Sequence, residues 1–397
     1  MTAQFERDLV GTIEQRIRRG PDLLQILIGP RQIGKTTAAR TVAQRWSGPS
    51  RYAAADTPLP PGPEWIETHW QLARRDARDG PALLILDEVQ KVNGWSETVK
   101  ALWDEDRATK AALAVLLLGS SALLLAEGTT DSLAGRFFLH RGLHWSWPEF
   151  KQAFGWDLDQ WLHFGGYPGA APLIEEEESW RSYITDSLIE TVVARDVLAM
   201  QKIAKPALLR QLFALAAHRP AQILSYNKML GQLQDAGNTT TLAHYLRTLE
   251  TAFLVSGLQR FSGSEPRSRA SSPKLVLWNN ALVSAMSLRT FAQARSDPSW
   301  WGRLVENAVG AHLLNHLQGL PHEIAYWRMR HDEVDFVVRT GAATWVIEVK
   351  SGRPGRPTGL GIFRRRYPTA RPLLVGSGGM PLTEFFAADP RDLLASE

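Results

Sequence analysis

Gly29-Pro-Arg-Gln-Ile-Gly34-Lys35-Thr36 constrains this chain more than any other stretch. It fits the pattern G-x-x-x-x-G-K-[ST], and Thr37 follows it. The apolar run Leu23-Leu-Gln-Ile-Leu-Ile28 before it reads as a buried strand, and the Ala- and Arg-rich run from Thr36 to Arg45 reads as a helix. A strand that turns through glycines into a helix aims several backbone N–H groups at one point. The positive end of the helix dipole adds to them, so phosphate is held without bulky side chains. Gly29, Arg31, Gln32, Ile33, Gly34, Lys35, Thr36 and Thr37 form the expected nucleotide cradle. In it the Lys35 ammonium would reach the β- and γ-phosphates of ATP, and the Thr36 hydroxyl would hold Mg2+.

A nucleotide site needs a second half, and Ala82-Leu-Leu-Ile-Leu-Asp87-Glu88 supplies it about fifty residues later. An apolar run ending in two acids places both at the exposed end of a buried strand. Asp87 would orient Mg2+ through its water shell, and Glu88 would polarise the attacking water. A third apolar run, from Ala112 to Leu118, ends in Gly119-Ser120-Ser121. Ser120 or Ser121 either touches the attacking water or the γ-phosphate, or merely caps the next helix. Arg136, close behind, is either an arginine finger for a neighbouring subunit's nucleotide or a surface arginine. Short apolar strands alternate here with helical stretches at 64–78 and 95–106. That alternation argues for an α/β unit, a parallel sheet covered on both faces, up to about residue 145.

At 397 residues the chain is too long for one core. We expect three domains, at 1–150, 151–272 and 273–397. No apolar run is long enough to span a bilayer, and the first residues lack a basic-then-apolar leader. There is no cysteine, which excludes disulfides and thiolate metal sites and fits a reducing cytoplasm. The net charge of +4 is mild but uneven. Between residues 201 and 280 ten Lys/Arg face three acids, and Arg353, Arg356, Arg364, Arg365, Arg366 and Arg371 form a second basic cluster. Such patches suit a polyanion such as DNA, or are solvated faces.

Residues 223–257 carry a tighter pattern. Ser225 can cap a helix over 227–235, a turn follows at Ala236-Gly237-Asn238, and Thr239 caps a second helix through Ala252. A strand over 254–260 and a polar basic tip at 262–273 complete the order of a winged helix-turn-helix. Lys228, Thr240, Thr241, His244 and Arg247 would face outward. That element either contacts DNA or is a structural spacer.

Further on, a helix over 300–317 carries Glu306. Strands are expected at 324–328, 333–338 and 344–350. Asp335 followed by Glu348-Val-Lys350 is the acid-acid-lysine order of restriction-endonuclease-like enzymes. Alternate residues of a strand share a face, so the Glu348 carboxylate and the Lys350 ammonium project together. Glu306, Asp335 and Glu348 would bind one or two Mg2+, and Lys350 would help deprotonate the attacking water or stabilise the phosphorane-like charge. The plain alternative is a solvent-facing Glu/Lys pair, or a domain that keeps the fold and only binds.

Together these motifs make the chain resemble the predicted bacterial and archaeal AAA+ ATPases that carry a C-terminal restriction-endonuclease-like domain of unassigned function. Besides the stretches above, the resemblance rests on Leu86-Asp-Glu-Val-Gln-Lys91, Gly135-Arg136, Trp147-Pro-Glu-Phe150, Gly165-Gly-Tyr-Pro168, Arg195-Asp196 and Ser272-Pro-Lys274. Where that family often ends a strand in an acid, Trp278-Asn279-Asn280 stands here. The resemblance implies a RecA-like ATPase core, a winged helix, a nuclease-like domain and a homo-oligomeric ring, a hexamer favoured. It also raises Arg136 and Arg195 as trans-acting fingers. The expected function is a cytoplasmic, Mg2+-dependent ATPase that binds and remodels or translocates DNA, branched DNA included. The rivals are an ATP-controlled regulatory or defence switch and a protein-remodelling ATPase.

Overall fold

The computed structural model describes residues 5–120, 132–193, 203–234, 237–263, 272–352 and 358–395. The chain forms two compact units, whose main bodies are Met1–Leu143 and His144–Glu397.

The first unit runs α1 (Asp8–Ile17), β1 (Leu24–Gly29), α2 (Lys35–Arg45), β2 (Ser50–Ala54), α3 (Pro63–Asp76), β3 (Ala82–Asp87), α4 (Trp95–Thr109), β4 (Leu113–Ser120) and β5 (Phe137–Arg141). Its strands order as β2-β3-β4-β1-β5, and every pairing is parallel. Period-two alternation sorts the apolar residues to two faces. Ile26, Ile28, Leu84, Leu86 and Val115 pack with Ile66, Trp70 and Val99 from α3 and α4. Leu27, Leu83, Ile85 and Leu116 pack with Val10, Ile13, Ala38 and Val42 from α1 and α2. The expected sheet with helices on both faces is therefore present. All strands point the same way, so the carboxyl ends of β1, β3 and β4 share one edge.

The second unit begins with α5 (Trp147–Phe154), α6 (Leu158–Phe164) and α7 (Glu177–Ser182), which continues into a π-helical stretch, Tyr183–Ile189. Then come α8 (Pro206–His218), β6 (Gln222–Ile223), α9 (Tyr226–Leu230), α10 (Thr239–Thr251), β7 (Val255–Arg260), β8 (Lys274–Leu277), α11 (Asn280–Met286), α12 (Phe291–Ser296) and α13 (Pro298–Leu317). The chain closes with β9 (Glu323–Met329), β10 (Asp332–Arg339), β11 (Thr344–Lys350), α14 (Thr358–Arg366), β12 (Arg371–Gly376), α15 (Leu382–Ala387) and α16 (Pro390–Leu393).

One sheet, ordered β12-β11-β10-β9-β7-β8-β6, crosses this whole unit. β8 lies antiparallel to both β6 and β7, and β7 joins β9 in parallel through Gln259↔Ala325 and Arg260↔Tyr326. This corrects the expected boundary at 272/273, because pairing through β7 merges the second and third expected domains into one compact unit. The first boundary falls a few residues before the expected 150.

Buried asparagines knit the unit together. Asn279 caps α11, accepts from the backbone N–H of Gly166 at 3.0 Å and donates to His144 Nδ1 at 3.1 Å. Gly165 has φ +74°, and a Cβ there would meet Asn279 Oδ1 at 2.1 Å, so glycine is required on both counts. Asn280 donates to the carbonyls of Leu162 and Leu304, and Asn307 clasps the backbone of Leu277 from both sides. The position that departs from the family's acid is thus a structural cap.

Candidate nucleotide site and acidic centre

At the carboxyl edge of the first sheet, β1 turns into α2 through the glycine loop. Gly29 approaches the backbone so closely that a Cβ would meet the Gly142 carbonyl at 2.3 Å, and Gly34, with φ +89°, precedes the first residue of α2. Gln32 also adopts a left-handed conformation, Ile33 is buried, and Arg31 and Thr37 lie at the rim. The first turn of α2 holds no acidic residue, so nothing on the helix opposes an anion at its N-terminus. The buried Lys35 ammonium donates to the carbonyls of Gly29 at 2.9 Å and Pro30 at 2.7 Å.

The two halves of the motif meet. Thr36 Oγ1 donates to Asp87 Oδ2 at 2.8 Å, Tyr52 Oη donates to the same oxygen at 2.7 Å, and Asp87 Oδ1 accepts from the Glu88 N–H at 2.9 Å. Burial and the Asp87 carboxylate push the Tyr52 phenol up to about 12, so it remains a donor. Glu88 has φ 54°, a left-handed conformation uncommon outside glycine and asparagine, which turns its side chain off the strand end. Its Oε2 accepts from Gln90 Nε2 at 2.6 Å. Thr36 and Asp87 offer Mg2+ adjacent oxygens beside an anion-binding helix end, and this donor set fits Mg2+-nucleotide. Tyr52 and Gln90 were not anticipated. Tyr52 sits on a half-exposed strand with no motif around it, and Gln90 was visible only as a letter following the two acids.

Ser120 ends β4 in register with Gly29, beside the loop, and Ser121 lies outside the described residues. Arg136 stands at the other end of the sheet. Its carbonyl accepts from the Leu24 N–H, about 17 Å of strand from Gly29. Its guanidinium forms two hydrogen bonds to Asp104, at 2.9 and 3.2 Å, so it does not serve its own chain's nucleotide. Arg195 lies outside the described residues.

The second unit gathers a group of acids. β10 is bulged between Val334 and Val337, which re-aims Asp335. Glu306 on α13, Glu333 and Asp335 bring carboxylate oxygens within 4.8 Å of one another. The expected trio of Glu306, Asp335 and Glu348 is thus altered, because Glu333 takes the third place. At the centre stands Lys274 from β8, wholly buried. Its Nζ lies 2.5 Å from Glu306 Oε1, 3.5 Å from Glu333 Oε1 and 3.5 Å from Asp335 Oδ1, and donates to the Asp335 carbonyl at 3.1 Å. Burial disfavours the ammonium, but Glu306, Asp335 and Glu333 outweigh it and raise its pKa. Burial pushes the Glu306 carboxyl up to about 7 against the pull of Lys274. The other Glu306 oxygen faces Arg303 at 3.2 Å. Asp335 Oδ2 accepts from the Val349 N–H at 2.8 Å. Glu348 and Lys350 share a strand face as expected and pair at 2.6 Å, while Glu348 Oε2 is buried without a hydrogen-bond partner. Burial and then Asp335 raise the Glu348 carboxyl.

Mg2+ requires near-octahedral oxygens at about 2.0–2.1 Å. Within the Glu306, Glu333 and Asp335 group, that space is held by an ammonium at ammonium distances. Of the oxygens on Glu306, Asp335 and Glu348, Glu348 Oε2 alone lacks a neighbouring donor or cation. The expected three-carboxylate Mg2+ site does not fit these side chains.

Comparison with known proteins agrees with the first unit. Residues 22–151 match the AAA domain family. The first unit thus resembles an AAA-type P-loop domain. Residues 155–293 and 301–383 match two further families, each described as a domain of unknown function. Among relatives, the uncharacterized protein Rv2008c of Mycobacterium tuberculosis is 27% identical over 353 residues, covering 87% of this chain and 73% of that protein. An uncharacterized protein of Haemophilus influenzae is 22% identical, covering 67% and 64%. Solved structures with partial likeness include the Aeropyrum pernix ORC1 protein in complex with DNA (13% identity, 73% of this chain and 93% of that one, TM-score 0.31). AMPPCP-bound DnaA from Aquifex aeolicus shows 17% identity over 61% and 86%, with a TM-score of 0.32. These scores fall short of a shared overall arrangement. Among the described residues, no helix is long and apolar enough to cross a membrane.

Proposed function

We propose that this protein is a Mg2+-dependent ATP hydrolase whose nucleotide state governs how its second unit holds DNA. The observation that carries this reading is the meeting of Thr36 and Asp87 at 2.8 Å at the mouth of a phosphate-binding loop, with Glu88 beside them. Bound ATP would supply the transferable phosphoryl group, and Mg2+ would neutralise its charge. Lys35, released from the Gly29 and Pro30 carbonyls, would donate to phosphate oxygens. Glu88 would orient and accept a proton from water once Gln90 lets it go. Arg136, away from its own chain's phosphate loop, would serve the next subunit of a homo-oligomeric ring, a hexamer favoured, once released from Asp104.

The DNA part of the reading rests on the run from α8 to β8. Its order is helix, strand, helix, turn, helix and then two strands, with β8 between β6 and β7, which supports the winged-helix reading. Lys228, Thr240 and Arg247 are exposed, and His244 and Thr241 are half-buried. Arg364, Arg365 and Arg366 form an exposed basic end on α14. The succession α13-β9-β10-β11-α14-β12, with β12 parallel to β11, supports a restriction-endonuclease-like fold used for gripping. We assign it no cleavage.

A second reading is an ATP-controlled switch. It is favoured by the Gln90 hold on Glu88, which would keep turnover slow. ATPase rates measured with single-stranded, duplex, forked and four-way DNA separate the two. Stimulation by any DNA supports the motor, and slow turnover indifferent to all four supports the switch. Purified protein that binds neither nucleotide nor DNA at low salt defeats both.

A further inference from the structure

We infer that the Lys274 ammonium takes the cation position of the second unit's acidic centre, so that this unit binds no divalent metal there and works as a metal-independent module. Lys274 Nζ lies 2.5 to 3.5 Å from an oxygen of each of Glu306, Glu333 and Asp335, so a divalent ion sharing those three oxygens would have to sit within a few ångströms of the ammonium. Two cations at that separation repel strongly in a buried site. The ammonium has nowhere else to go. Lys274 has no exposed surface, its strand lies between β6 and β7, and the Phe336 ring sits 4.9 Å from Nζ. The backbone carbonyl of Asp335 accepts a further hydrogen bond from it at 3.1 Å, a contact that suits an N–H donor.

The arrangement has a structural use. Lys274 belongs to the hairpin strand that follows the helix-turn-helix segment, whereas Glu306 and Asp335 belong to α13 and β10. The ion cluster therefore ties the segment proposed to meet DNA to the terminal sheet, beside the clasp of Asn307 on Leu277. A movement of the hairpin would pull on α13 through a charged contact that cannot be resolvated cheaply.

The test counts bound Mn2+ by electron paramagnetic resonance on the full chain without nucleotide, in an Asp87→Asn background. Because Asp87→Asn removes the nucleotide-linked metal, the outcome does not depend on the ATPase reading. We expect no ion bound by this chain. Adding Lys274→Ala should create a site for one Mn2+ per chain, at least about a hundredfold tighter than any residual binding, because the ammonium's repulsion is gone. Glu306→Gln should abolish that site, and Mn2+ should raise the melting temperature of the Lys274→Ala chain alone. An ion bound by the Asp87→Asn chain and lost on Glu306→Gln or Asp335→Asn overturns the inference. So does a folded Lys274→Ala chain that gains none. If Lys274→Ala does not fold, the Asp87→Asn measurement with and without Glu306→Gln decides alone.

Discussion

Thr36 Oγ1 donates to Asp87 Oδ2 at 2.8 Å across 51 residues of sequence. The same oxygen accepts from Tyr52 at 2.7 Å, so two hydroxyls fix one carboxylate in place. Thr36 is both a metal ligand and a support in the proposed site, whereas Tyr52 only supports. We expect Thr36→Ala to remove Mg2+-dependent ATP binding and Tyr52→Phe to weaken it by about tenfold, the worth of one hydrogen bond to a charged group. Titration with a fluorescent ATP analogue with and without Mg2+ checks the order. Equal losses in both variants would contradict the division of roles.

Glu88 is the proposed water-orienting group, and its carboxylate is hydrogen-bonded to Gln90. Glu88→Gln should therefore leave ATP binding near wild type and slow turnover by roughly a hundredfold or more. Lys35→Ala should abolish both. Gln90→Ala frees the Glu88 carboxylate from its 2.6 Å partner, so basal turnover should rise. Steady-state phosphate release gives the rates, and a fall in Gln90→Ala would show that Gln90 aligns Glu88 instead of restraining it.

The first unit was largely legible because its information is local. A glycine loop, an apolar run and two acids place β1, α2 and β3 within a residue or two. Expected strands at 324–328, 333–338 and 344–350 also appear, since alternation along one strand suffices to see them. What the sequence hid is long-range. The pairing of β7 with β9 joins segments more than sixty residues apart and leaves no periodic trace. β5 is only half-buried, so its apolar pattern is weak. Lys274 opens Lys274–Leu277 after a basic tip and reads as one more surface cation, although its strand is buried throughout. Its partners come from two distant elements, Glu306 from α13 and Glu333 and Asp335 from β10, and although the two acids of β10 are spaced to share a strand face, no spacing rule joins them to Glu306 or Lys274.

Arg247 and Lys228 are exposed on the two helices proposed to face DNA. If they meet phosphates, Arg247→Ala and Lys228→Ala should each weaken binding alike for all sequences. Each should also lower the slope of log affinity against log salt by about one. Fluorescence anisotropy across a salt series measures both quantities. Unchanged slopes would remove this face from the DNA contact and leave the basic end of α14 as the alternative.

His163 is fully buried, and neither of its ring nitrogens has a hydrogen-bond partner. It packs against Phe164, Trp180 and Phe291. Burial first, and the Arg181 charge second, lower its pKa to about 4, against about 6.5 in an unfolded chain. Between those values the unfolded chain binds the proton and the folded one does not. The contribution is therefore intact above about pH 6.5 and is lost as pH falls toward about 4, amounting to roughly 3 kcal/mol at the acid end. His140 in the first unit, also lowered to about 4 by burial, adds a loss of the same sign. His163→Phe keeps the ring and removes the titration. Its stability at pH 7 should match or exceed the wild type, and its loss between pH 7 and pH 4.5 should be smaller. Urea unfolding followed by tryptophan fluorescence at the two pH values measures this difference. An acid loss in His163→Phe as large as in the wild type would show that His163 finds a proton partner in the folded chain.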